Sequence, residues 1–126
     1  MMPPLFLDVQ STDLVMDMCA APGSKTSQML EMLYSHQSRL PTGGVIANDV
    51  EYSRAQMLIH QVQRSWTAGM AVINHNGQFL PQLHTEGKQK LLFDKVLADV
   101  PCSGDGATRK LPNKWSDWHS NDGAVL

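Results

Sequence analysis

Leu14-Val15-Met16-Asp17-Met18 runs directly into Cys19-Ala20-Ala21-Pro22-Gly23-Ser24-Lys25-Thr26, and the reading of this junction decides the fold. The first five residues are an apolar run closed by small residues and a proline, which suits a buried strand. Ser24 or Thr26 can cap a helix that continues to about Ser35. Along it Met29, Leu30, Met32 and Leu33 recur at helical spacing and face the sheet. Small side chains in such a turn let a ligand approach the backbone, and amide groups at a helix start favour a carboxylate or phosphate. Lys25 adds a compact positive charge suited to a carboxylate. The spelling is neither G-x-G-x-x-G nor G-x-x-x-x-G-K-[ST], so dinucleotide and P-loop readings lose support. A ligand-free strand-to-helix turn remains the plain alternative.

Working outward, the pattern repeats. Pro41, Gly43 and Gly44 mark a loop, and Val45-Ile46-Ala47-Asn48-Asp49 reads as a second strand. Glu51 to about Trp66 reads as an amphipathic helix with Met57, Leu58, Ile59 and Val62 on its inner side. Met70 to Asn74 gives a third strand and Lys95 to Asp99 a fourth. Between them His75 to Lys90 is polar, with a weak helical hint near Leu80 to Leu83, and the tail from Pro101 reads as loop. Strands alternating with helices imply parallel pairing in a doubly wound α/β sheet, whose ligands lie across the carboxyl ends of the strands. Asp17, Asp49 and Asp99 all fall at that edge, and the third strand runs into Asn74-His75-Asn76.

Composition narrows the classes. The chain has 126 residues, enough for one domain with its own core. Its net charge of -2 argues against a segment that grips nucleic acid by phosphate contacts alone. Cys19 and Cys102 stand far apart with no C-x-x-C, and the five histidines lack ligand spacing, so no metal site is expected and a reducing, intracellular setting is. No run reaches the roughly 18 apolar residues of a membrane span, and Met1 to Gln10 does not read as a signal peptide.

Two strings carry most of the chemistry. Asp17 to Thr26 resembles the cosubstrate loop D-x-C-A-A-P-G-x-K-T of the Nop/Sun family of RNA (cytosine-5) methyltransferases. Asp99-Val100-Pro101-Cys102-Ser103-Gly104-Asp105-Gly106 resembles that family's D-x-P-C-S-G-x-G. Asn48-Asp49 with Arg54 is similar to its N-D-x-x-x-x-R. Asn76-Gly77 with Pro81 stands where the family has D-A-x-x-x-P, with Asn and Gly replacing Asp and Ala. Arg109-Lys110 with Trp115 and Trp118 completes a family-like stretch that can touch RNA phosphates and bases. The likeness runs from Leu14 to Trp118, and Ile46 to Val50, His60-Gln61 and Asn74-His75 look most like the eukaryotic tRNA-directed branch. Taken singly, these residues have plainer readings: Asp49 as a helix cap, Asn76 as a solvated turn, Cys102 as an inert buried thiol, the tryptophans as core cover.

The resemblance implies a Rossmann-like class I methyltransferase sheet, mainly parallel, here the first four of the usual seven strands, with residues 1–126 forming part of one such domain. It implies S-adenosylmethionine held by Cys19, Ala20, Ala21, Pro22, Gly23, Ser24 and Lys25, by Asp49 and Arg54, by Asn76 at the adenine and by Asp99. Asp99 would also face the target base, Cys102 would assist release of the product, and Arg109 and Lys110 would contact RNA, with tRNA the expected substrate. In the family a cysteine thiolate adds to cytosine C6 and the C5 carbon takes the methyl group. The C5 proton is then lost and the thiolate expelled. The attacking cysteine lies in a later T-C string, and no Thr-Cys pair occurs in these 126 residues. The expectation is therefore weak or absent cosubstrate binding and no methylation by this polypeptide alone. The competing readings are a non-catalytic RNA- or partner-binding fragment and, on a similar sheet, a nicotinamide-dependent dehydrogenase. A nuclear or nucleolar location goes with the tRNA-directed branch, a cytoplasmic one otherwise. Oligomeric state, the RNA and the modified cytosine stay open.

Overall fold

The structure, a computed structural model, describes residues 1–35, 40–64, 68–107, 109–116 and 119. Trp66 and Trp118 lie outside the described residues, as does the side chain of Trp115.

The four expected strands form one parallel sheet. They are β1 (Leu14–Asp17), β2 (Gly44–Asn48), β3 (Met70–Ile73) and β4 (Lys95–Leu97), in the order β3-β2-β1-β4. Val15 pairs with Val45 and with Lys95, and Val45 pairs with Met70, so the four strands share one register row. β1 lies in the middle, with β2 on one side and β4 on the other. The chain reverses direction across the sheet at β1, and the β1/β4 boundary is the place where such sheets take ligands.

Three α-helices are described: α1 (Met2–Leu7), α2 (Ser24–Tyr34) and α3 (Tyr52–Gln63). Apolar burial, worth roughly 1.5–3 kcal/mol for each fully buried aliphatic side chain, centres on Val15, Val45, Ala47 and Leu97 of the sheet. Met29, Leu30 and Leu33 of α2 and Leu58 and Val62 of α3 pack against them. The alternate row runs Met16, Ile46, Ala71 and Val96; Met16 is buried while Ala71 and Val96, towards the two sheet edges, are exposed.

Several local expectations change. The helix over 24–34 is capped by Gly23 and carries no side-chain cap. The Thr26 hydroxyl expected there is buried and donates to Asp17 Oδ2 at 2.7 Å instead. α3 ends at Gln63, and its Met57 is exposed because Ala55, Leu58 and Val62 define the inner face. The helical hint at Leu80 to Leu83 forms no helix. A 3₁₀ turn occurs earlier, at Gly77–Phe79, two more lie in the tail expected as loop, at Asp105–Ala107 and Pro112–Trp115, and His84 and Lys90 meet in an isolated antiparallel bridge. α1 had no counterpart in the sequence reading. Prolines in its first turn suit a helix start, and Lys95 Nζ donates to the Leu7 and Asp8 carbonyls at its end. No described helix is long and apolar enough to cross a membrane. No described group of His, Cys, Asp or Glu has the make-up of a metal site.

Candidate cosubstrate site at the strand ends

The turn between β1 and α2 is shaped by two backbone features. The Ala21–Pro22 peptide is cis, and Gly23 has φ +107. A Cβ on Gly23 would stand 2.8 Å from Leu58 Cδ1, so both conformation and space demand glycine. The turn is then pinned from the side. Ala20 N–H donates to the Asn48 carbonyl at 2.7 Å, and Ala21 N–H donates to Asp49 Oδ2 at 3.2 Å. Arg54 Nη2 donates to the Ala21 carbonyl at 2.8 Å while its Nε lies 3.4 Å from Asp49 Oδ2. With no side chain capping α2, its first-turn N–H groups are available to an anionic ligand group.

Asp49 thus serves the protein first. Its other oxygen, Oδ1, accepts Glu51 N–H at 3.1 Å in a turn just before α3, but the N-cap of α3 is Glu51 with no side-chain cap, so Asp49 does not cap the helix. A carboxylate has about four acceptor positions; one hydrogen bond falls on each oxygen, Arg54 pairs with Oδ2, and one position on Oδ1 is left for a ligand hydroxyl. The neighbours of Asp49, Asn48 and Val50, form the wall of the cleft instead. Asn48 is a strut: its Nδ2 donates to the Met18 and His75 carbonyls, both at 2.9 Å, and its Oδ1 accepts His75 N–H at 2.9 Å. The ends of β1, β2 and β3 are locked together through this one carboxamide.

The cleft itself holds about 500 Å³ and is lined by Met18, Cys19, Asn48, Val50, Asn76, Gly77, Gln78, Val100 and Pro101. Its size lies within the usual range for small-molecule sites. Of the expected residues, Cys19 and Asn76 line it directly. Lys25 and Asp99 form an ion pair that joins the two motif strings across the sheet. Such a half-exposed pair adds at most about 1 kcal/mol of stability, so its use is positional. Cys102 is exposed, which overturns the inert-core reading of this thiol, and Arg109 and Lys110 are exposed beyond it. Val50, Gln78, Val100 and Pro101 were missed. The signal for Val50 and Val100 was present, an apolar residue directly after the acidic ends Asp49 and Asp99.

Two groups are displaced from their ordinary titration. Burial pushes the Asp17 carboxyl up, against the Thr26 hydroxyl bond and the charge of Lys25, and Asp99 adds to the rise. Asp17 Oδ1 is buried without a hydrogen-bond partner. Burial also pushes the Cys19 thiol up, assisted by Asp49, Asp17 and Asp99 and opposed by Arg54. A neutral thiol in a small-residue turn packs and does not attack.

The profile of the 16S rRNA methyltransferase RsmB/F family matches residues 4–122. The chain belongs to this family. It is 45% identical, over its whole length, to a multisite-specific tRNA:(cytosine-C(5))-methyltransferase of Saccharomyces cerevisiae, covering 19% of that protein. It is 48% identical over 94% of its length to a tRNA (cytosine(34)-C(5))-methyltransferase of Drosophila melanogaster, covering 17% of it. Among solved structures, NSun6 from Pyrococcus horikoshii with SFG superposes on 81% of the chain and 23% of its own length, at a TM-score of 0.64 and 26% identity. The sheet is thus the Rossmann-like methyltransferase sheet expected from the two strings. The chain spans about a fifth of the curated relatives it matches.

The residues present fit an S-adenosylmethionine-like nucleoside. A glycine cradle without room for a Cβ, uncapped helix N–H groups and a cleft with apolar walls at Val50 and Pro101 supply the features such a molecule needs.

Proposed function

We propose that this chain provides the S-adenosylmethionine pocket and the base-facing loop of an RNA (cytosine-5) methyltransferase whose substrate is tRNA. The observation that carries the reading is the Lys25–Asp99 pair, which ties the D-x-C-A-A-P-G-x-K-T-like turn to the D-x-P-C-S-G-x-G-like loop at one end of the sheet. Membership of the family and the names of the tRNA-directed relatives support the reaction class and the substrate.

In this reading the turn Cys19, Ala20, Ala21, Pro22, Gly23, Ser24 and Lys25 receives the amino-acid end of the cosubstrate. Asp49, held by Arg54, offers its remaining acceptor position to a ribose hydroxyl. Asn76 meets the adenine edge between the apolar walls of Val50 and Pro101. Asp99 faces the target base, and the exposed Cys102 sits on the loop beyond it to assist release of the methylated base. Arg109 and Lys110 lie further out, available to RNA phosphate. The bound cosubstrate supplies an electrophilic methyl group, and the chain's own residues orient it and exclude water around it. An intracellular setting, nuclear or nucleolar, goes with a tRNA-directed enzyme.

Saturation-transfer NMR, which detects weak complexes, tests the pocket with S-adenosylhomocysteine and NAD in parallel. Transfer to the adenosine protons of S-adenosylhomocysteine, and none to NAD, is the expected result. Silence for both, or a preference for NAD, would overturn the reading. In a methylating protein that carries these residues, Cys102→Ser should leave a covalent RNA adduct on a denaturing gel. Normal turnover without adduct would remove Cys102 from its role.

A further inference from the structure

Asn76, like Asn48, is a cleft residue whose hydrogen-bonding sense is fixed by the fold, and unlike Asn48 it has a side-chain donor left over. It caps the 3₁₀ turn Gly77–Phe79, its Oδ1 accepting Gln78 N–H at 2.9 Å. A backbone N–H can only donate, so the side-chain atom facing it must be the oxygen, and the amide cannot be turned around without losing the cap. The polar atom left wholly unengaged is Nδ2, a donor, on a residue that lines the cleft beside Gly77 and Gln78. An aspartate at this position would spend one oxygen on the same cap and present the other as an acceptor. Asparagine exchanges that acceptor for a donor with almost no change of shape.

The exchange matters for the purine edge. Adenine carries a 6-amino group, which donates, beside N1, which accepts. A 6-oxo purine reverses both senses. A donor set against position 6 opposes an amino group and complements a carbonyl oxygen, and although Asn76 is itself exposed, an unmatched polar pair covered by a bound purine is costly.

We propose that Asn76 is a specificity-determining residue that removes this pocket's demand for a 6-amino purine. The pocket then takes S-inosylhomocysteine, the 6-oxo nucleoside, at least as well as S-adenosylhomocysteine. This rests on the cosubstrate reading above, in which Asn76 meets the exocyclic group.

The test is a saturation-transfer titration of the full chain, wild type and Asn76→Asp, with each nucleoside, read as the ratio of the two dissociation constants. For the wild type the ratio of S-inosylhomocysteine to S-adenosylhomocysteine is at or below one. In Asn76→Asp it rises by about tenfold or more, the size of one hydrogen bond to a charged acceptor. Aspartate keeps the cap, so the variant should fold. Asn76→Ser, whose hydroxyl both donates and accepts, gives a second comparison, with a ratio between the other two. A wild-type preference of tenfold for S-adenosylhomocysteine, or a ratio unmoved by Asn76→Asp, overturns the inference while leaving the cosubstrate reading intact. Failure of both nucleosides to bind the wild type overturns the cosubstrate reading itself and this inference with it.

Discussion

Asp17 is 1% exposed and has one oxygen bonded to Thr26 and the other without a partner. Its folded-state pKa lies above the ordinary 3.8, so between the two values the native chain binds more protons than the unfolded one. Stability contributed by this group is therefore greatest below 3.8, falls as pH rises through that window and is level above it. Asp17→Asn keeps an acceptor for Thr26 and abolishes this dependence. Urea unfolding of both proteins at about pH 3 and about pH 7 should show the variant gaining on the wild type as pH rises. A constant difference, or one of opposite sign, would mean that burial does not raise the pKa of this carboxyl in the folded chain. Gly23 makes a second prediction at this scale. Ala at φ +107 with a Cβ 2.8 Å from Leu58 should lose about 1–3 kcal/mol, measured by chemical denaturation.

At the scale of elements, the 3₁₀ turn at Gly77–Phe79 invites a change of the opposite sign. A Cβ on Gly77 would meet Met18 Cε at an ordinary 3.6 Å, and its φ is not left-handed. Gly77→Ala should therefore stabilise by about 0.4–1 kcal/mol through the unfolded chain, seen as a raised thermal midpoint. Destabilisation would show that the turn needs glycine for another reason. Strands and helices near the first motif were legible in the sequence because their signals are local: an apolar run, a proline-glycine turn, a helical repeat. What was not legible depends on distant partners. Thr26 is not a cap because Asp17 takes its hydroxyl. Met57 is outside because Ala55, Leu58 and Val62 make up the buried face of α3. α1 is short, and its end is held by Lys95, a residue 87 positions beyond Asp8. Within the site, the strings identified the turn, the ion-paired Lys25 and Asp99, and Asn76. They did not reveal that Asp49 is largely spent on Ala21, Glu51 and Arg54 while Asn48 and Val50 form the wall.

Across the whole molecule, Leu58 links the core to the site, since it is fully buried and is also the atom group that a side chain at residue 23 would strike. Leu58→Ala alone should cost about 2–5 kcal/mol. Combined with Gly23→Ala it should cost less than the sum, by about 0.5–3 kcal/mol, because the truncated side chain makes room for the new methyl. Strict additivity in a double-mutant cycle would show that the turn relaxes independently of α3.

The strand order has a kinetic side. β1 is bonded to β4, and the Leu14 N–H is held by the Asp94 carboxylate 80 residues away. β1, β2 and β3 can assemble among neighbours in the chain, yet Asp99, Val100 and Pro101 reach Lys25 and the cleft only after β4 has docked. Closing so long a loop is slow compared with local pairing. Chains caught early in refolding should thus already protect β2 amides from hydrogen exchange while still lacking any pocket for a nucleoside.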